Sequence, residues 1–120
     1  MDLDAAVAAV WEQLGPGRPE TAYSAALAMA TGGDHQFPVP VRFNGTVVSV
    51  TKADVVIAPA GAAPTVIEVK IADRATPEAM EQARAYARSI SSACAVAVVA
   101  FPRTAAVSPT IAHGTRSSAV

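Results

Sequence analysis

Cysteine, aromatic residues and net charge are all scarce in this sequence, and each scarcity excludes a class of protein. Among its 120 residues there is one cysteine, Cys94, so neither an intramolecular disulfide nor a cysteine-based zinc cluster can form. Lysine and arginine number 9 and aspartate and glutamate 10, which gives a formal net charge of -1. Such a chain has no global field that attracts nucleic acid, so any binding of nucleic acid must depend on a local basic patch.

Targeting and membrane-spanning segments are not evident either. Asp2 and Asp4 stand where a secretory signal would carry basic residues. No apolar run reaches the roughly 20 residues that a membrane helix needs. Together with the single cysteine, these features lead us to expect a protein of the reducing cytoplasm that has no membrane partner.

What the chain does contain is enough apolar material for one core. Hydrophobic residues make up 52% of the sequence, which excludes wholesale disorder, and the length suits a single domain. Apolar residues at helical spacing predict helices from about Asp2 to Gln13 and from Pro19 to about Thr31. Gly15-Pro16-Gly17 separates these helices, because proline and glycine end the helical hydrogen-bond pattern.

Strands are predicted in the middle of the chain. Alternating apolar residues flank Asn44-Gly45, the strongest short hairpin signal in the sequence. Pro38 cannot donate a ladder hydrogen bond, so the first strand is expected at a sheet edge. A second hairpin is predicted from strands Asp54 to Ala58 and Thr65 to Lys70, joined by a turn rich in proline, glycine and alanine. Four antiparallel strands in succession would form a meander.

The last third of the sequence predicts a helix and a buried strand. Thr76-Pro77 marks the start of a helix that continues to about Ser91. The fully apolar strand from Ala93 to Phe101 should lie inside the sheet, parallel to the Thr65 to Lys70 strand through a right-handed crossover. We therefore expect an α/β domain with a mixed sheet flanked by helices over residues 1–102. Residues 103–120 are expected to be a flexible C-terminal tail or an extra edge.

Three charged side chains interrupt the second predicted hairpin. Asp54 opens its first strand, while Glu68 and Lys70 share one face of its second strand because strand side chains alternate. Hard cations such as Mg²⁺ prefer oxygen ligands, which the two carboxylates and the backbone carbonyl of Val69 can supply. Lys70 can orient a water molecule or stabilise the charge that develops during phosphodiester hydrolysis. A solvent-exposed ion pair between Glu68 and Lys70 is the structural alternative.

The spacing Asp54, thirteen residues, then Glu68-Val69-Lys70 resembles the core motif of the PD-(D/E)XK nuclease superfamily. Gln82-Ala-Arg-Ala-Tyr86 resembles the QxxxY motif of its RecB-like members. Upstream, Gly17-Arg-Pro-Glu20-Thr-Ala-Tyr23 resembles the signature of the GxxExxY family, which belongs to that superfamily. The likeness extends over roughly residues 14–101.

This resemblance implies a restriction-endonuclease-like fold and a metal-dependent nuclease that acts on DNA or on RNA. Asp54, Glu68 and the Val69 carbonyl would bind Mg²⁺ or Mn²⁺, and Lys70 would assist the water and the transition state. Glu20 would be a further catalytic carboxylate, although an acid in the first helical turn also interacts favourably with the helix dipole for structural reasons alone.

Residues around this predicted site suggest how substrate would bind. Gln82 and Tyr86 share a helix face, and could hold a substrate phosphate or Lys70, or lie on a solvated surface. Lys52 would belong to a local basic rim, for which scattered surface charge is the alternative. The remaining members of that rim are Arg42, Arg74, Arg84 and Arg88. A rival function, which near-neutral charge favours, is a non-catalytic module of the same fold that binds nucleic acid or protein, with a homodimer as one form.

Overall fold

The structure, a computed structural model, describes residues 2–91 and 93–114. Within these ranges the chain forms three helices and five strands. In chain order they are α1 (Leu3–Leu14), α2 (Glu20–Thr31), β1 (Asp34–Phe43), β2 (Thr46–Ile57), β3 (Thr65–Ile71), α3 (Pro77–Ile90), β4 (Ala95–Phe101) and β5 (Thr110–Gly114). The strands form one sheet in the order β1-β2-β3-β4-β5. This arrangement confirms the predicted α/β domain.

Local sequence explains where the helices begin and end. The Asp2 carboxylate accepts a hydrogen bond from the Ala5 amide at 2.7 Å, and thereby caps α1. The Thr76 hydroxyl caps α3 in the same way at 3.2 Å from the Ala79 amide. Gly32 ends α2 in the left-handed conformation, with φ of 72°. The three predicted helices are therefore confirmed, with ends that differ by one residue or so.

The sheet is mixed and covered on both faces at its centre. β3 and β4 are parallel and joined through α3, as predicted, whereas the other neighbouring strands are antiparallel. One apolar cluster, the α1/α2-side core, includes Leu27, Val55 and Phe101. A second cluster, the α3-side core, includes Ala83 and Val98. β4 contributes to both clusters, which confirms that this strand is buried on its two faces.

The predicted meander of four strands is wrong in one respect. The segments on either side of Lys52 belong to a single strand, β2, which runs without a break from Thr46 to Ile57. No glycine or proline interrupts the sequence between Val50 and Asp54, and Thr51 and Lys52 are both compatible with extended backbone. Three antiparallel strands, β1, β2 and β3, therefore take the place of four.

Of the two expectations for residues 103–120, a flexible tail or an extra edge, the structure bears out the extra edge in residues 110–114. Thr110–Gly114 forms β5, which pairs with β4 from Thr110 opposite Ala100 to Gly114 opposite Val96. Without β5, β4 would present an unpaired edge, and Ile111 packs against the α1/α2-side core. Residues 115–120, the rest of the predicted tail, lie outside the described residues. No helix in the described part of the chain is both long and apolar enough to cross a membrane.

The far end of the β1–β2 hairpin extends beyond the helices. All residues from 41 to 50, which we call the hairpin arm, are solvent-exposed. Asn44 and Gly45 form its turn with φ of 49° and 77°, the two positive values that a type I′ turn requires. The arm contributes to an elongated outline, with principal extents of 46 × 28 × 25 Å.

Candidate active site

The Asp54 and Glu68 side chains meet where β2 and β3 separate. The paired residues of the two strands end at Val55 opposite Ile67. Beyond this point β2 continues beside β1 alone, while β3 continues beside β4. Carboxylates replace the missing backbone partners, because Asp54 Oδ2 accepts from the Val69 amide at 2.8 Å and Glu68 Oε1 accepts from the Asp54 amide at 3.4 Å. The two acids thus lie at the opening between the strands.

An irregularity in β1 and β2 lies at the same position. Gln36, which is located across from Asp54 between the pairs His35–Val55 and Phe37–Ala53, has a φ of 58°. Ala53 belongs to the α3-side core, whereas Val55, two residues further, belongs to the α1/α2-side core. Residues two apart share a face in a regular strand. β2 therefore changes its orientation at Asp54, which directs this side chain toward β3.

Glu68 is an unusually placed acid, because only 2% of its surface is accessible. Burial raises the pKa of Glu68 to about 8, and the nearby negative charge of Asp54 and a side-chain hydrogen bond with Asp54 act in the same direction. The positive charge of Lys70 opposes this rise in pKa. The three groups therefore interact electrostatically, and the raised pKa favours the protonated form of Glu68 near neutral pH.

The predicted alternation of β3 agrees with the structure. Ile67 and Val69 pack in the α1/α2-side core, and Val66 packs in the α3-side core. Glu68 and Lys70 follow Val66 at intervals of two and hence project toward the α3 side. Glu68 is buried rather than exposed on an edge, so the simple surface ion pair does not describe it.

Glu20 approaches the same strand from α2. Its Oε2 accepts a hydrogen bond from the Ile71 amide at 3.3 Å. The loop before it is fixed by Tyr23, whose hydroxyl donates to the Gly15 carbonyl at 2.6 Å and accepts from the Arg18 amide at 3.2 Å. Tyr23 is buried and stacks on Phe101, with ring centroids 4.6 Å apart. Tyr23 therefore has a packing role, and the loop that it holds positions Glu20 at the end of β3.

The three carboxylates do not converge on one point. Among the described residues, no three histidine, cysteine, aspartate or glutamate side chains lie close enough to form a metal-binding group. Asp54 and Glu68 contact each other, whereas the contact of Glu20 is with the backbone one residue beyond Lys70. An ion held at this site would therefore take its side-chain ligands from the Asp54–Glu68 pair and complete its coordination with backbone, water or phosphate oxygen.

Residues predicted to bind substrate have varied surroundings. Gln82 Nε2 donates to the Tyr86 hydroxyl at 3.0 Å, so these residues do share one face of α3, and Tyr86 also packs against the α3-side core. Lys52 is exposed on β2, two residues before Asp54. Arg84 forms a salt bridge of 3.0 Å with Glu81, which takes up part of its charge. The other members of the predicted rim, Arg42, Arg74 and Arg88, are exposed.

Sequence reasoning missed the contacts that the acids make with the backbone amides of Asp54, Val69 and Ile71. A strand pattern identifies the side-chain face, but it does not indicate where two strands stop pairing. The structure also contains a groove of about 580 Å³ between α1 and β5, lined by Trp11 and Ile111 among others. This groove does not include Asp54 or Glu68, and the chemistry of the carboxylate pair, rather than cavity size, identifies the candidate site.

A comparison with protein families agrees with this location. The family model described as the PD-(D/E)XK nuclease superfamily matches residues 2–110, a range that contains the candidate site and all elements up to the start of β5. No curated protein and no solved structure matches the chain. The five-stranded mixed sheet with three helices in the described residues is consistent with the restriction-endonuclease-like fold. Because the family model covers most of its length, the chain belongs to the PD-(D/E)XK nuclease superfamily.

Proposed function

We propose that this protein is a metal-dependent nuclease that hydrolyses phosphodiester bonds in DNA, with RNA as the alternative substrate. The observation that carries the proposal is the meeting of Asp54 and Glu68 where β2 and β3 separate, with Lys70 next to them on the same face of β3. Membership of a nuclease superfamily supports the same reaction class.

The chemistry of the carboxylate pair fits a divalent cation. Two acids in contact, one of them buried, repel each other when both are ionised, which contributes to the raised pKa of Glu68. A cation bound between the two carboxylates would offset this repulsion, and Mg²⁺ or Mn²⁺ would find oxygen ligands in Asp54, Glu68 and the Val69 carbonyl. When bound, such an ion would polarise a phosphate oxygen and lower the pKa of a bound water.

The other predicted residues of the site have roles that follow from their positions. Lys70 would orient the attacking water and stabilise the negative charge that develops at phosphorus, because its ammonium lies near the carboxylates. Glu20 would position the end of β3 through the Ile71 amide, and could accept a proton from water in the opening. Gln82 and Tyr86, with Lys52 at the edge, would bind the substrate backbone.

We also propose the GxxExxY family as the narrower assignment within the superfamily. Each residue of this signature contributes to the loop before α2 or to the contact of α2 with β3. Gly17 adopts a φ of 87°, a conformation that favours glycine. Glu20 reaches β3, and Tyr23 anchors the loop through the Gly15 carbonyl.

A cleavage assay with matched variants tests the nuclease proposal. Purified protein should nick or degrade a mixed panel of DNA and RNA substrates in Mg²⁺ or Mn²⁺, and chelation should abolish the reaction. Asp54→Asn and Lys70→Ala should each reduce the rate by about 100-fold or more, because they remove a metal ligand and a transition-state charge. Asp73→Asn, which changes an exposed acid three residues after Lys70, should retain activity.

Metal binding provides a readout that does not depend on turnover. Mg²⁺ or Mn²⁺ should raise the midpoint of thermal unfolding of the wild-type chain and of Asp73→Asn, but not of Asp54→Asn. If neither ion stabilises the fold and no substrate is cut, the alternative of a non-catalytic binding module of the same fold replaces the nuclease. Cleavage that survives Lys70→Ala would also overturn the assignment of these residues.

A further inference from the structure

One residue of β1 has a backbone conformation that is uncommon in strands. Gln36 has a φ of 58°, in the left-handed region, where a Cβ atom is crowded against the backbone. In the described part of the chain, the only other residue with a side chain and a positive φ is Asn44, whose turn requires that value. Gln36 lies inside a strand, where no turn accounts for its conformation. Outliers of this kind cluster at functional sites.

β1 exchanges its two faces at Gln36. The residue before it, His35, shares a hydrogen bond of 2.8 Å between its Nε2 and the Ser24 hydroxyl of α2. The residue after it, Phe37, packs against the α3-side core on the other face of the sheet. Side chains two residues apart share a face in a regular strand. The left-handed conformation of Gln36 therefore rotates the strand between its two neighbours.

β2 makes the same exchange at Asp54, which lies across from Gln36. Ala53 belongs to the α3-side core, whereas Val55 belongs to the α1/α2-side core. The pairs on either side of Gln36 keep one register, so the two strands rotate together. Because Asp54 lies at this rotation, its carboxylate is directed sideways within the sheet and accepts from the Val69 amide of β3 at 2.8 Å.

The surroundings of Gln36 maintain a conformation that is unfavourable in itself. Ser24 is buried and fixes His35 on the α2 side. Val39, also buried, continues β1 within the α3-side core. The start of β1 lies close against β2, since a Cβ atom at Gly33 would be 3.0 Å from a backbone oxygen of that strand. β1 is thus fixed on opposite faces before and after Gln36, and a rotation at this residue joins the two parts.

We propose that Gln36 is a positioning residue of the candidate active site, which acts through its left-handed backbone by turning Asp54 toward β3. The Gln36 amide group forms no hydrogen bond with the residues that the structure describes, so its contribution comes from the backbone. With an extended residue at this position, Asp54 would stay on one face of the sheet and the Val69 amide would lose its partner. This role depends on the proposed function only in that Asp54 is a ligand of the metal.

Variants of Gln36 that differ in their tolerance of a positive φ test this role in the full chain. Gln36→Gly permits left-handed backbone without steric crowding, whereas Gln36→Val favours extended backbone. Hydrogen exchange of the Val69 amide, measured by NMR in chelator, reports the position of Asp54, because this amide donates to its carboxylate. Gln36→Val should accelerate this exchange about tenfold or more, and Gln36→Gly should not. Exchange within β4 should be unaltered in both variants.

Binding of Mn²⁺ connects this role to the proposed function. Electron paramagnetic resonance of free Mn²⁺ in a titration gives the dissociation constant without any substrate. Gln36→Val should weaken binding about tenfold or more, as the loss of a residue that orients a metal ligand does, and Gln36→Gly should bind as the wild type does. A wild-type chain that binds no Mn²⁺ would contradict the metal-dependent function, and exchange at Val69 would still decide the role of Gln36.

Ser49 provides the matched control, because it is an exposed residue of β2 outside the candidate site. There the order should reverse: Ser49→Val should be tolerated, Ser49→Gly should lower stability in urea, and neither should change exchange at Val69. Slow Val69 exchange in Gln36→Val would overturn the proposal. Fast exchange in a folded Gln36→Gly chain would also overturn it and assign the role to the side chain. If Gln36→Val does not fold, Gln36→Ala, which also disfavours a positive φ, should change the exchange in the same direction.

Discussion

The two halves of β2 have similar sequences and opposite surroundings. Val55 and Val56, beside the candidate site, are buried, whereas Val48 and Val50 in the hairpin arm are largely exposed. Both halves are rich in valine, and both pair with β1. The two halves differ in helix packing, since α2 and α3 pack against the part of the hairpin near the site and not against the arm. Composition therefore predicts the strand, but not which part of it is buried.

The lengths of the strands and helices explain why the helices do not reach the arm. β2 has 12 residues, which at about 3.3 Å per residue extend over roughly 40 Å. α2 also has 12 residues but is only about 18 Å long, because a helix rises about 1.5 Å per residue. β3 and β4 have 7 residues each, a length that the helices can cover. The arm is thus a direct result of a hairpin about twice as long as the helices beside it.

The largest expected effect concerns pH and the candidate site, where Glu68 of β3 lies beside the buried half of β2. Folding raises the pKa of Glu68 from 4.5 to about 8, so the folded chain holds a proton that the unfolded chain releases. This contribution to stability is complete below about pH 4.5 and is lost as pH rises through about 8. In chelator, we therefore expect the free energy of unfolding to fall by a few kcal/mol between about pH 5 and pH 8.

Glu68→Gln removes the ionisable group and should flatten this pH dependence. Arg42→Gln is the control, because it changes an exposed charge in the hairpin arm. Urea unfolding at several pH values provides the measurement. A stability profile that is the same in wild type and Glu68→Gln would contradict the buried carboxyl pair.

A pair of identical substitutions in β2 should have the next largest effect. Val55→Ala removes two methyl groups from a side chain that is fully buried, and should cost about 2–3 kcal/mol of unfolding free energy. Val50→Ala, five residues earlier on the same strand, should change the stability of the chain by less than about 0.5 kcal/mol. Equal losses in urea unfolding would show that the arm is packed as tightly as the site.

The smallest expected effect lies in the turn of the hairpin arm. Asn44 tolerates its φ of 49° better than residues with other side chains, so Asn44→Ala should destabilise the turn by about 1 kcal/mol. Because residues 41–50 are exposed and belong to neither apolar core, the change should accelerate amide hydrogen exchange in the arm and leave exchange in β3 and β4 unaltered. Faster exchange throughout the sheet would instead mean that the arm and the core unfold as one unit.

Local signals in the sequence predicted much of this fold. Thr76-Pro77 and Asp2 fixed helix starts, and Asn44-Gly45 fixed a turn, because each acts through contacts within a few residues. The uninterrupted apolar run of β4 indicated a buried strand beside a parallel neighbour. Such signals need no knowledge of distant parts of the chain.

Features that depend on distant contacts were harder to predict. β5 is short, and it forms a strand because it pairs with the otherwise open edge of β4. The composition of the segment around Lys52 allows β2 to continue, but the pairing with β1 that makes it continuous involves residues far away in the sequence. Within the candidate site, the spacing of Asp54, Glu68 and Lys70 predicted which residues would meet. It did not predict that β2 and β3 part there and that the carboxylates replace backbone partners.

The central claim is that the Asp54–Glu68 pair is built to hold a divalent cation. Anomalous diffraction from crystals of the chain soaked in Mn²⁺ tests it most directly, because the metal is located without any assumption about substrate. We predict an anomalous peak between the two carboxylates and next to the Val69 carbonyl, and its disappearance in Asp54→Asn. A map with no peak at this pair, at a Mn²⁺ concentration that supports cleavage, would contradict the claim.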